Sequence, residues 1–166
     1  MPALISGSRA PEFSLNLMGQ NPKFSLEKAR SQGPVLAAFF KVTCPTCQLA
    51  FPYLERMFAA YGNGKAQMIG VSQDGPADTT AFAQQYGVKF PIVLDEIGKY
   101  PASNAYGLTN VPTVFWISPE GKVEFSSVGW DKKDMERLNQ QYAAAAGKPK
   151  IELFKPGDTA PDFKPG

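Results

Sequence analysis

The stretch 35–47, Val-Leu-Ala-Ala-Phe-Phe-Lys-Val-Thr-Cys-Pro-Thr-Cys, decides the fold. Its apolar run, 35–42, shows none of the alternation of a half-exposed strand and so predicts a central strand buried on both faces. Directly after it, Phe51, Leu54, Phe58 and Tyr61 fall at spacings of three and four, the apolar face of a helix that should stop before Gly62. Pro52 lies inside this helix and is expected to kink it. A buried strand thus feeds straight into a helix, and the junction carries Cys44-Pro45-Thr46-Cys47.

These are the only two cysteines of the chain. A C-x-x-C spacing lets two sulfurs meet across one helical turn and sets the first over the unpaired N–H groups of the helix start, which favour a thiolate. Cys44 is therefore the candidate nucleophile and Cys47, one turn deeper, the candidate resolving thiol. A zinc site would need four sulfur or imidazole ligands, and the chain offers no histidine and no third cysteine. A purely structural disulfide closing so short a loop would remove little unfolded-state entropy.

Outward from the junction, strand-like and helix-like segments alternate, predicting an α/β sandwich with helices on both faces of one sheet. Residues 67–72 read as a strand, 76–86 as a helix closed by Gly87, and 91–95 as a short strand. A brief helix is expected over 102–106, closed by Gly107. Residues 113–118 and 122–128 flank Ser118-Pro119-Glu120-Gly121, whose proline and glycine suit a tight turn between antiparallel strands. Asp131 is the expected N-cap of a last helix through Met135, Leu138 and Tyr142, ended by Gly147 and Pro149.

With 166 residues, 43% hydrophobic, and twelve phenylalanines, the expected organisation is one domain over residues 1–147. Residues 148–166, rich in proline, glycine and lysine, are expected to form an extended, weakly packed tail. The formal charge of +2 arises from 17 basic and 15 acidic residues without a basic stripe, which argues against a nucleic-acid partner. The apolar runs are too short to span a bilayer, so no membrane partner is expected. The start of the chain lacks the pattern of a secretory signal, which suggests a cytoplasmic protein, or a periplasmic one if a signal or anchor has been removed.

One short motif occurs twice: residues 7–13, Gly-Ser-Arg-Ala-Pro-Glu-Phe, and residues 157–163, Gly-Asp-Thr-Ala-Pro-Asp-Phe. The simpler reading is an extended edge piece with one anchoring phenylalanine. The sharper one is a tail that docks on a second, similar groove, such as one in a neighbouring subunit.

Taken together, these motifs resemble the thioredoxin-like superfamily, and within it the redoxin branch of TlpA-like thiol-disulfide oxidoreductases and AhpC/TSA peroxiredoxins. The resemblance spans roughly residues 7–146. Ala10-Pro11-Glu12-Phe13 is similar to the family's opening motif, and Cys44-Pro45-Thr46-Cys47 with Pro52 to the TlpA-like active-site helix. Residues 70–74 and 90–95 resemble the strand ends that bracket the redoxin insertion. Val111-Pro112-Thr113 resembles the cis-proline loop. The implied fold is a thioredoxin-like three-layer sandwich, a mixed central sheet flanked by helices with an extra strand and helix inserted. The implied activity is thiol-disulfide exchange at Cys44 and Cys47, supported by Pro45, Thr46 and Pro52, without a bound cofactor or metal. The loop Val111, Pro112 and Thr113 would meet a protein or small-molecule disulfide substrate, and a thiol reductant would recharge the pair. A cis bond at Pro112 would let Val111 pair its backbone with an extended substrate segment.

The chain departs from the family in ways that affect the chemistry. The buried aspartate of thioredoxins falls on Ala38, the glutamate common in TlpA-like proteins on Ala50, and the tryptophan before the motif on Thr43. Water, or a carboxylate such as Asp95, must then accept the Cys47 proton. Lys41 could add positive potential near Cys44, or simply be a solvated strand-end lysine. A peroxiredoxin is the alternative, but its threonine falls on Lys41 and no arginine lies between Arg56 and Arg137. The other alternative is a redox-sensing or binding module without turnover.

Overall fold

The computed structural model describes residues 3–19 and 22–166. Near its start, β1 (Ser14–Asn16) pairs antiparallel with β2 (Lys23–Ser25). Strand β3 (Val35–Phe40) is fully buried along its whole length. It pairs in parallel with β4 (Gln67–Ser72) and antiparallel with β6 (Thr113–Ile117). Outside these lie β5 (Ile92–Leu94), parallel to β4, and β7 (Val123–Val128), antiparallel to β6, giving the order β5-β4-β3-β6-β7. The expected mixed central sheet is therefore present, with the 118–121 turn closing its β6–β7 hairpin through Gly121 N–H to the Ser118 carbonyl.

Alternation along β3 builds two cores, because successive side chains of a strand point to opposite faces. Leu36, Ala38 and Phe40 pack with α2 (Pro45–Tyr61), α3 (Pro76–Tyr86) and α5 (Lys132–Ala146), through Phe51, Leu54, Phe82, Leu138 and Tyr142. Val35, Ala37 and Phe39 pack with α1 (Leu26–Arg30) and α4 (Pro101–Ala105), through Leu26, Ala29 and Ala102. Helix α5 starts as expected on Asp131, whose carboxylate accepts from the N–H groups of Lys133 and Asp134, and closes on Gly147 in the left-handed region. Helix α2 continues through Pro52 to Tyr61, although the missing proline N–H removes a bond to the Gln48 carbonyl. No helix among the described residues is long and apolar enough to cross a membrane.

The segment after Gly147 corrects one expectation. It is extended, but it is not weakly packed. Leu153 is fully buried in the core beneath α2 and α5. The Tyr61 hydroxyl accepts from Ile151 N–H, and Asn139 donates to the Ile151 carbonyl. Arg56 donates to the Leu153 carbonyl and to both oxygens of Asp158, and it draws that carboxyl below its usual range. Phe154 packs on Tyr53 and Trp130, and the segment ends in β9 (Phe163–Lys164), paired with β8 (Trp130–Asp131). The composition misled because a few anchors, each supplied by a distant helix, outweigh six prolines and glycines that only forbid regular structure.

The repeated motif has a partly shared structure. In both copies the glycine, Gly7 or Gly157, holds φ near +92° as the third residue of a tight turn. Ser8 N–H closes the first turn on the Ile5 carbonyl, and Asp158 N–H the second on Lys155. The phenylalanines then diverge. Phe13 packs on Phe24 and Tyr106, whereas Phe163 is 61% exposed. The first copy runs along β7 and its turn, and the second along β8, so the grooves differ.

If the segment after α5 is part of the core, Leu153→Ala should lower stability by about 2–4 kcal/mol, the usual cost of a cavity at a buried leucine. Chemical denaturation measures this directly, and a loss below about 0.5 kcal/mol, typical of surface sites, would return the segment to a loosely held tail.

Candidate active site

The parallel pair β3 and β4 ends on one side of the sheet, and the cysteines sit there. After Phe40 the chain turns through Lys41, Val42 and Thr43 and enters α2 with Cys44 as its N-cap and Pro45 in the first turn. The Cys44 sulfur accepts the Cys47 N–H at 3.2 Å, filling one of the donors that a helix start leaves unpaired. Cys44 is half-buried, Cys47 fully buried, and both are free thiols. The loop below is pinned from two sides. Asp74, just past the end of β4, accepts the Val42 N–H at 2.8 Å, and Gln48 donates to the Val42 carbonyl at 3.0 Å.

Opposite the sulfurs, the Val111–Pro112 bond is cis, the isomer expected from the sequence. The Cys44 thiol donates to the Val111 carbonyl at 3.3 Å. Pro112 and Thr113 are buried behind Val111. The Thr113 hydroxyl donates to the Asn110 carbonyl at 2.8 Å, so this side chain braces the loop from beneath and does not face the cleft. A cleft of about 260 Å³ adjoins Val111, lined also by Lys41, Gln73, Leu108, Thr109 and Asn110.

Burial pushes the Cys47 thiol well above its ordinary value, and its hydrogen bond with Cys44 pushes the same way. The main cause is desolvation, since Cys47 is fully buried in the apolar core beneath α2. Ala38 and Ala50 are both buried in the same core as Cys47 and supply no group that could take up its proton. Asp95 is not the replacement. Its carboxylate accepts the N–H groups of Ala102 and Ser103 at the start of α4. The carboxylate whose charge reaches Cys47 is Asp74, and it too disfavours the thiolate. Sequence reading passed over Asp74 as a site residue, although two parallel strands must end side by side and so bring it next to the loop before Cys44.

Among the motif's other residues, Pro45 is exposed at the helix start, and Pro52 lies half-buried two turns on. Thr46 is 3% exposed, and its hydroxyl donates to the Pro165 carbonyl at 2.7 Å. No pattern in the sequence pairs residue 46 with residue 165. Lys41 is exposed at the strand end.

With this geometry in view, comparison with known proteins is specific. The model of the AhpC/TSA family matches residues 6–126. The chain belongs to that family. Thiol-disulfide oxidoreductase ResA of Bacillus subtilis (strain 168) is 30% identical over 159 residues, covering 95% of this chain and 80% of that protein. ResA of Geobacillus thermodenitrificans is 31% identical over 123 residues, covering 74% of this chain and 68% of that protein. Among solved structures, one described as the thiol:disulfide interchange protein DsbE of Chlorobium tepidum is 31% identical with a TM-score of 0.74, covering 87% of this chain and all of that one. A structure from Bacteroides thetaiotaomicron superposes with a TM-score of 0.80 over 89% of this chain and 96% of that one; at 21% identity it supports the thioredoxin-like fold alone.

The different burial of the two sulfurs has a direct chemical readout. Iodoacetamide should modify Cys44 of the reduced protein first, with Cys47 labelled only on unfolding. Peptide mapping by mass spectrometry identifies the site, and initial labelling at Cys47 would reverse the two roles.

Proposed function

We propose that the protein is a thiol-disulfide oxidoreductase in which Cys44 attacks a substrate disulfide and Cys47 resolves the product. The observation that carries this reading is the Cys44 sulfur, which meets the first turn of α2 on one side and the Val111 carbonyl of the cis-proline loop on the other. The names of the ResA relatives and of the DsbE structure support it.

In the first step the Cys44 thiolate attacks one sulfur of the disulfide, forming a Cys44–substrate mixed disulfide and releasing the other substrate sulfur as a thiolate that takes up a proton. In the second, Cys47 loses its proton and its sulfur attacks the Cys44 sulfur. The substrate's remaining sulfur leaves as thiolate, and the pair ends as a Cys44–Cys47 disulfide. Two electrons pass from the pair to the substrate, and an external thiol reductant restores them. Because Cys47 is fully buried and the nearby Asp74 charge opposes its thiolate, loss of its proton is the demanding event.

The surroundings favour disulfide over peroxide. Splitting an O–O bond calls for donors aimed at the developing charge. The Thr46 hydroxyl is committed to the Pro165 carbonyl. Arg30 is paired with Glu12, Arg56 with Asp158, and Arg137 lies over the Phe125 ring. The substrates are protein or small-molecule disulfides.

Reduction of insulin disulfides with dithiothreitol as donor should vanish in Cys44→Ser, while Cys47→Ser should accumulate a mixed disulfide visible by mass spectrometry. With Cys47 held as a thiol, single-turnover resolution should quicken as pH rises, by up to about tenfold per unit between pH 6 and 9, since only the thiolate attacks. Rapid Cys44-dependent peroxide consumption without insulin turnover would overturn the assignment. A flat pH profile would mean that a group near Cys47 accepts its proton.

A further inference from the structure

The last residues of the chain lie across the active site. From Trp130 onward their contacts follow one line toward Cys44. Trp130 donates its indole N–H to the Pro161 carbonyl at 2.6 Å, and Lys132 N–H donates to the Asp162 carbonyl at 2.9 Å. Residues 163 and 164 then pair antiparallel with Asp131 and Trp130. The Pro165 carbonyl accepts the hydroxyl of Thr46, inside the C-x-x-C motif, and the Gly166 carbonyl accepts from the Asn110 side chain at 3.3 Å. Gly166 lies against the Val111 carbonyl, the same oxygen that holds the Cys44 thiol. Gly129 makes room for this path, since a side chain there would stand 3.0 Å from the Lys164 carbonyl.

We propose that residues 160–166 are an internal occupant of the groove in which an extended polypeptide disulfide docks beside Cys44, so that tail and substrate compete for it. This deepens the oxidoreductase reading and rests on it for the identity of the competing partner. The tail holds its place mainly through backbone carbonyls taken up by Trp130, Lys132, Thr46 and Asn110, a mode in which any extended segment can substitute. The residue it sets beside Val111 is glycine, which marks that position of the groove as one for a small residue.

The tip is also built to leave. The anchors described above, Leu153 in the core and Asp158 on Arg56, end before Ala160. Beyond them Pro161, Asp162, Phe163, Pro165 and Gly166 are exposed, and Phe163 buries little of its ring. Release therefore uncovers the groove while the Leu153 and Asp158 anchors stay in place. The same fact gives the occupant a fixed local concentration, because the chain is tethered a few residues away at Asp158.

The test compares the reduced full chain with a form ending at Thr159, which keeps both anchors. A tip seated about nine-tenths of the time would weaken a competing segment about tenfold, so truncation should lower KM for insulin by up to that factor with little change in kcat. Iodoacetamide should also reach Cys44 several-fold faster in the truncated form, by the same count of open groove. A synthetic peptide of residues 159–166 added to that form should restore slow labelling and inhibit competitively with insulin. Gly166→Val, whose side chain would run into the Val111 carbonyl, should shift both readouts the same way with the chain intact. Equal labelling rates and equal KM in the two forms, or a truncated form with a lower unfolding midpoint and a higher KM, would overturn the proposal and leave the segment a structural brace. If labelling speeds up while neither form reduces insulin, the tail contact stands and the oxidoreductase reading falls.

Discussion

Strand β3 is the constraint on which everything else hangs. It is buried on both faces and paired on both edges, so its position in the middle of the molecule admits no slack. Its even residues build one core and its odd residues the other. The chain must leave such a strand at its carboxyl end, and here it leaves into the first turn of α2. Cys44 inherits its place from that geometry. The parallel partner β4 ends alongside and brings Asp74 to the backbone of Val42, while antiparallel β6 begins on the same side and brings the Val111–Pro112 loop to the sulfur. Three strand ends thus converge on one sulfur because the sheet leaves them nowhere else to go.

The chemistry at the second sulfur is set by what surrounds it. A buried thiol is costly to ionise unless a partner accepts its proton or its charge. With alanine at 38 and 50, the core under α2 is continuous and apolar up to Cys47. The arrangement is favourable for packing and unfavourable for the thiolate. Asp74 does not relieve this, since its own charge opposes a second anion nearby and its carboxylate is occupied by a backbone N–H.

The segment after α5 shows how few contacts are needed to organise a stretch of poor composition. Two hydrogen bonds to Ile151, burial of Leu153 and a carboxylate held by the two terminal guanidinium nitrogens of Arg56 fix residues 151–158. A bidentate pair of this kind restricts orientation as well as distance, so the chain that follows is aimed along β8. From there, pairing with β8 and the side chains of Trp130, Thr46 and Asn110 guide it to the loop around Val111. The repeated turn at Gly7 and Gly157 serves different ends in its two places: the first copy starts the fold on β7, and the second redirects the chain after its last anchor.

The sequence alone determined the sandwich, the order of its elements, the placement of the cysteine pair at a strand-to-helix junction and the cis bond at Pro112. The first three follow from local signals: an unbroken apolar run, three-and-four spacing in α2, and glycine or proline at turn positions; the cis bond followed from the resemblance of Val111-Pro112-Thr113 to the cis-proline loop of the family. It also exposed the missing carboxylates at 38 and 50, since an absence is visible residue by residue. Only the tertiary structure decided that Asp95 serves α4, that Asp74 holds the loop before Cys44, that Thr113 braces its loop from inside, and that the tail is packed. Those contacts join residues up to 119 positions apart, as between Thr46 and Pro165, and no periodicity or spacing connects them. A side chain's partner over such a distance is fixed by where the sheet and helices place the backbone, which is a property of the assembled fold.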